Sequence, residues 1–193
     1  MGFVRVMHIV TALCVACLTA MPAAQANDAL WREVEKGGYV LLMRHAQTVS
    51  GVGDPPGFSL DDCKTQRNLS DEGRAQARHT GEAFRTRGIP LDTVRTSAWC
   101  RCVETAKLAF GKADVWSALN SFFQGPDTKA GQTAEVRDAL PAVKKPGNWM
   151  LVTHQVNITA LTGEWADSGE IVVARPVAEP DGQLTVVGKL KVQ

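Results

Sequence analysis

Two wholly apolar runs, Val40-Leu41-Leu42-Met43 and Met150-Leu151-Val152, constrain the fold of this chain more than any other feature. Neither alternates with polar residues, so each reads as a strand buried on both faces, a state that arises when helices cover both sides of a sheet. The stretches between them supply such helices. Residues 28–36 have amphipathic spacing and stop at Gly37-Gly38, ahead of a strand over 39–43. Ser70 can cap a helix running to about 87, with Asp71 and Glu72 in its first turn. Strand and helix then alternate over 91–97 (strand), 99–110 (helix ending at Gly111), 113–116 (strand), 132–143 (helix), 149–153 (strand) and 156–162 (helix ending at Gly163). Two last strands, 170–174 and 184–192, are joined through Pro180-Asp181-Gly182. This βα alternation predicts an α/β fold, a three-layer α/β/α sandwich around a mostly parallel sheet.

Both apolar runs end in histidine: Met43 is followed by Arg44-His45, and Val152 by Thr153-His154. In an open α/β sheet, ligands bind at the carboxyl ends of the strands, so these two imidazoles can meet in one pocket although they are far apart in the chain. A third group lies at the junction Thr96-Ser97-Ala98-Trp99-Cys100-Arg101, where Arg101 falls in the first turn of a helix. Backbone N–H groups and a guanidinium at that position form a receptor for an oxyanion. The long segment 47–69, with Gly51, Gly53, Pro55-Pro56 and Gly57, is predicted to be a functional loop.

The first 26 residues stand apart. Arg5 is their only strongly charged residue; an apolar run over 9–20 follows, and Ala24-Gln25-Ala26 fits the A-x-A cleavage pattern. The segment reads as a secretory signal peptide over 1–26, since its apolar run is too short to span a membrane, and it leaves a single domain over 27–193. With 21 basic and 20 acidic side chains in the whole chain, nothing marks a nucleic-acid partner. Cys63, Cys100 and Cys102 remain beyond the leader. In an oxidising compartment three cysteines predict one bridge and one free thiol, with Cys63 paired to Cys100 or to Cys102. A lone Cys-x-Cys with one distant cysteine lacks the paired spacing of structural zinc sites.

In order and spacing, these motifs resemble the histidine phosphatase superfamily, the group that includes the phosphoglycerate mutases. Arg44-His45-Ala46 resembles the family's Arg-His-Gly signature with Ala for Gly. Ser97 through Ala106 resembles its Ser-Ser-Pro-x-x-Arg-x-x-x-Thr-Ala segment, Val152-Thr153-His154 its late strand-histidine, and Leu69-Ser70-Asp71-Glu72-Gly73 the start of the helix after the signature. Cys63-Lys64-Thr65-Gln66-Arg67 before that helix is similar to a small secreted branch, which implies a periplasmic location.

The resemblance implies a phosphoglycerate mutase-like fold and a phosphatase working through a phosphohistidine on His45. Arg44 and Arg101 would hold the phosphoryl oxygens, Arg67 would be an additional phosphate ligand, and His154, if protonated, would stabilise the transferring group. It implies no cofactor and no metal, because no carboxylate or third ligand stands at a matching position. The substrate would be a phosphorylated small molecule or surface glycan.

One departure concerns the acid. Many relatives carry a Glu where this chain has Leu119-Asn120-Ser121-Phe122-Phe123, so the candidates here become Glu170, before a late strand, and Asp127. The missing Glu also leaves open a catalytically weak phospho-ligand binding protein that retains the anion pocket.

Overall fold

The computed structural model describes residues 23–51, 53–178 and 183–192. Residues 1–22 of the expected leader and the expected turn at 180–182 lie outside them. Among the described residues there are five α-helices and six strands: α1 (Ala23–Glu35), β1 (Val40–Arg44), α2 (Asp71–Thr86), β2 (Leu91–Thr96), α3 (Cys100–Phe110), β3 (Asp114–Val115), α4 (Lys129–Ala139), β4 (Asn148–Thr153), α5 (Gln155–Thr162), β5 (Ile171–Ala178) and β6 (Leu184–Leu190). Short 3₁₀ turns occur at Cys63–Thr65, Ser117–Leu119, Pro126–Thr128 and Leu140–Ala142. Among the described residues no helix is long and apolar enough to cross a membrane.

The sheet runs β3-β2-β4-β1-β5-β6. Its first four strands are mutually parallel, whereas β5 runs antiparallel to both β1 and β6. Side chains alternate across each strand and so divide the core in two. Leu41, Met43, Met150 and Val152 face Trp31 of α1, Phe84 of α2 and Cys102 and Ala106 of α3. Val40, Leu42, Trp149 and Leu151 face Val136 of α4 and Ile158 and Leu161 of α5. Helices therefore cover both faces, as the unbroken apolar runs require.

Local signals fix several boundaries. Ser70 Oγ accepts from the N–H of Gly73 at 3.1 Å, the cap that starts α2. Gly111 ends α3 in the left-handed region at φ 69°, which its missing Cβ allows. α4 begins at Lys129, three residues before the expected start, because the chain enters it directly from the 3₁₀ turn Pro126–Thr128.

Helices α2 and α3 meet where Gly81 lies against the backbone of Ala109, so closely that an added Cβ would strike the Ala109 carbonyl. Gly81→Ala is therefore expected to lower the melting temperature by several degrees. Overpacking costs about 1–3 kcal/mol, and each kcal/mol shifts a domain of this size by about 2–4 °C. Thermal melting followed by circular dichroism checks this; an unchanged midpoint would mean that the helices separate without cost.

Candidate active site

The parallel pairing of β1 with β4 builds the site. Their register sets Arg44 opposite Thr153, and the N–H of His45 donates to the Thr153 carbonyl at 3.0 Å. The next residue of each strand is a histidine, and the two rings lie 5.5 Å apart, centroid to centroid. β2 lies on the other side of β4, so Ser97 and the start of α3 arrive at the same sheet edge. The N–H of Ala46 donates to Thr105 Oγ1 of α3 at 3.0 Å, which ties the signature loop to that helix.

These elements border an open cavity of about 920 Å³, lined among others by Arg44, His45, Arg67, Trp99, Arg101 and His154. His45 is 3% and His154 4% exposed. His45 Nδ1 lies 2.9 Å from the carbonyl of Ala46. A carbonyl only accepts, so Nδ1 carries the proton and Nε2 keeps its lone pair. Burial, and then the charges of Arg101, Arg44 and Arg67, push the His45 pKa down to about 3 against a partial gain from the Ala46 bond. The ring is neutral and nucleophilic at ordinary pH. His154 is also held well below its ordinary value, by burial first and then by His45 and the same arginines. Its Nε2 lies 2.8 Å from Ser97 Oγ.

This burial has a consequence for stability. An unfolded histidine takes a proton near its ordinary 6.5, whereas folded His45 resists protonation down to about 3, so lowering the pH favours the unfolded chain across that window. The melting temperature is expected to fall as pH drops from about 6.5 towards 3, and to fall less steeply in His45→Ala. Parallel curves for the two proteins would show that His45 is not buried as a neutral ring.

The arginines are arranged for an anion. Arg44 donates through Nη1 to the Ala166 carbonyl at 2.9 Å and lies 5.6 Å from the Trp165 ring. The Nε–H groups of Arg44, Arg67 and Arg101 are all buried without a hydrogen-bond partner. Burial lowers the pKa values of Arg44 and Arg67, and repulsion among the three guanidiniums lowers them further. An oxyanion would relieve that repulsion and occupy the free donors. The N–H of Cys100, at the start of α3, is already taken by Gln66 Oε1 at 2.9 Å, so the helix end contributes less than its sequence position implies.

Cys63 is bonded to Cys100, with 5.7 Å between their Cα atoms. Of the two partners open from sequence it is Cys100, and Cys102 is buried as a free thiol. The bridge fastens loop 47–69 to the start of α3, where Phe58 also packs on Trp99 at 5.5 Å between centroids.

Glu170 is corrected by the geometry. It does not line the cavity, and its Oε2 accepts from the N–H of Asp167 at 2.9 Å, a turn contact ahead of β5. Asp127 is exposed in its 3₁₀ turn and is likewise absent from the lining. Sequence reasoning missed Asp54, which does line the cavity: its Oδ1 accepts from Arg101 Nη1 at 2.9 Å and from the N–H of Arg67 at 3.0 Å. Its local sign in the sequence is an acid set among Gly51, Gly53, Pro55, Pro56 and Gly57.

Residues 40–125 match the model of the histidine phosphatase superfamily, branch 1. Over that stretch, which holds His45 and Arg101, the chain is similar to the histidine phosphatase superfamily. Its fold is phosphoglycerate mutase-like, as in the phosphoglycerate mutase of Thermus thermophilus, at TM-score 0.54 and 18% identity over 80% of this chain and 99% of that one. The protein histidine phosphatase SixA complexed with tungstate has TM-score 0.51 and 16% identity over 79% of this chain and 96% of that one. In sequence, the chain is 30% identical over 126 residues to the mitochondrial serine/threonine-protein phosphatase Pgam5 of Drosophila virilis, a match that covers 64% of this chain and 37% of that protein. The chain thus spans well under half the length of that relative. The two histidines and the arginine singled out in the sequence, His45, His154 and Arg44, are the residues that the sheet edge gathers here.

Proposed function

We propose that the protein is a phosphatase that passes the phosphoryl group of its substrate first to His45 and then to water. One observation carries this reading: a neutral histidine with a free Nε2 shares a cavity with three arginines whose buried Nε–H groups are unpartnered. His45 Nε2 attacks phosphorus, the bond to the leaving oxygen breaks, and water then cleaves the phosphohistidine, so that two easier displacements replace one hard one. Arg44, Arg67 and Arg101 hold the non-bridging oxygens, and this fixed positive field supplies the stabilisation that phosphoryl transfer needs. It does so without a metal. The arriving dianion also raises the pKa of His154, which can then carry a proton opposite the developing charge.

Tungstate, bound in the SixA structure, is a tetrahedral oxyanion like phosphate, which supports an anion site in this fold. The cavity is several times larger than a phosphoryl group, so the leaving group can be sizeable, as in a phosphorylated small molecule or surface glycan. Esters, anhydrides and phosphoramidates all suit this chemistry. The leader-like segment and the Cys63–Cys100 bridge support secretion into an oxidising compartment such as a periplasm.

The test is turnover of a panel of phosphate compounds by purified protein, with and without chelator, together with acid-quenched labelling by a radiolabelled substrate. Turnover unaffected by chelator, with the label on His45, is expected. Phosphate binding with no turnover would favour the weak binding protein, and label on another residue would overturn the mechanism.

A further inference from the structure

We propose that Asp54 is the acid that protonates the leaving oxygen, an assignment that rests on the phosphatase reading above. Among the described residues the cavity lining holds two carboxylates, Asp54 and Glu135. Glu135 is exposed on α4, and its Oε1 is engaged by Trp116 Nε1 at 2.6 Å. Asp54 is bonded directly to a phosphate-holding arginine, and the side chains of that pair are 4% (Arg101) and 12% (Asp54) exposed.

The geometry lets Asp54 and a phosphoryl group use one guanidinium together. Asp54 takes Nη1 of Arg101, while the Nε–H, on the other edge of the fork, is buried and unpartnered. A phosphoryl group held on that free edge comes to rest beside the carboxylate. Both anions then lean on one cation, a setting in which one carboxyl is driven to take a proton.

Without substrate the balance is different. Burial pushes the Asp54 carboxyl up, but the Arg67 N–H bond and the charges of Arg101 and Arg67 outweigh it and hold the group below its ordinary range. The other charged or titratable groups of the lining near this pair are Arg44 and His45 from the end of β1 and His154 from the end of β4. Asp54 is therefore a carboxylate at rest and becomes an acid when the dianion binds.

The cycle balances. His45 Nε2 forms a bond to phosphorus, the bond from phosphorus to the leaving oxygen breaks, and the Asp54 proton moves to that oxygen, giving an alcohol, a carboxylate and phosphohistidine. Water then attacks phosphorus, the bond to Nε2 breaks, and one water proton returns to Asp54 while the other stays on the phosphate released. The Cys63–Cys100 bridge and the Arg67 backbone contact hold the Asp54 loop against the start of α3, so the acid is placed by the same elements that place Arg101.

The test compares wild type with Asp54→Asn on a series of aryl and alkyl phosphates graded by leaving-group pKa. A general acid contributes roughly 10²–10⁴-fold. The amide should cost at least about 10²-fold in kcat/KM on alkyl phosphates and no more than about tenfold on 4-nitrophenyl phosphate, whose leaving group needs little help. Equal losses on both would overturn the assignment alone. No turnover by wild type on any member of the series would overturn the phosphatase reading and this proposal with it. Asp54→Glu guards against a folding defect: it retains an acid and should recover alkyl phosphate turnover to within about tenfold of wild type. Recovery no better than the amide would also overturn the assignment.

Discussion

Replacement of His45 by alanine is expected to abolish both turnover and phosphate labelling, with a rate loss on the order of 10⁴-fold or more, as for removal of a covalent nucleophile. The loss should be the same for good and poor leaving groups, because the other histidine of the lining, His154, has its Nε2 engaged by Ser97 Oγ. The fold should survive. His45 sits at the end of β1, its backbone bond to Thr153 does not depend on the side chain, and its ring faces the cavity rather than either apolar layer. Quenched-flow labelling together with thermal melting separates the two effects. Retained activity in a folded variant would remove His45 from the chemistry.

Arg101→Ala should cost about 10²–10³-fold in kcat/KM, the effect of removing one preorganised donor from a water-poor site. Two interactions are lost at once: a phosphoryl oxygen loses its charge-assisted bond, and Asp54, 12% exposed, loses the cation that balances it. Arg101→Lys should recover only part of the loss, since an ammonium restores the charge without the fork that serves two anions. Steady-state kinetics on one aryl phosphate decide the matter. A change below about threefold would make Arg101 a structural residue.

Much of this site was legible in the sequence because its residues sit at element ends, and periodicity locates those ends well. Val40 to Met43 and Met150 to Val152 read as buried strands from their composition, which put His45 and His154 at strand ends without any knowledge of sheet order. Gly111 and Ser70 marked helix ends by backbone freedom and capping. What escaped was set by tertiary contacts. That β4 lies between β1 and β2 is a non-local fact with no local signal. Glu170 has a sequence position much like that of a site residue, yet its carboxylate turns to the N–H of Asp167. Asp54 lies in a stretch without periodicity, and only the folding of loop 47–69 over α3 reveals its contact with Arg101. Cys100 and Cys102 are two residues apart, and the helix turn between them decides which one faces the loop and which faces the core.

The sheet order also governs when the cavity can be completed as the chain folds. β1 and β2 are not paired with each other; each is hydrogen-bonded to β4, which follows β2 by some fifty residues. The chain up to α4 already carries His45, Asp54, Arg67 and Arg101, but not the strand that lies between β1 and β2. Arrival of β4 supplies the missing middle of the sheet and His154 in the same stroke. The cavity on which the proposed phosphoryl transfer depends is therefore complete only once the central strand is in place.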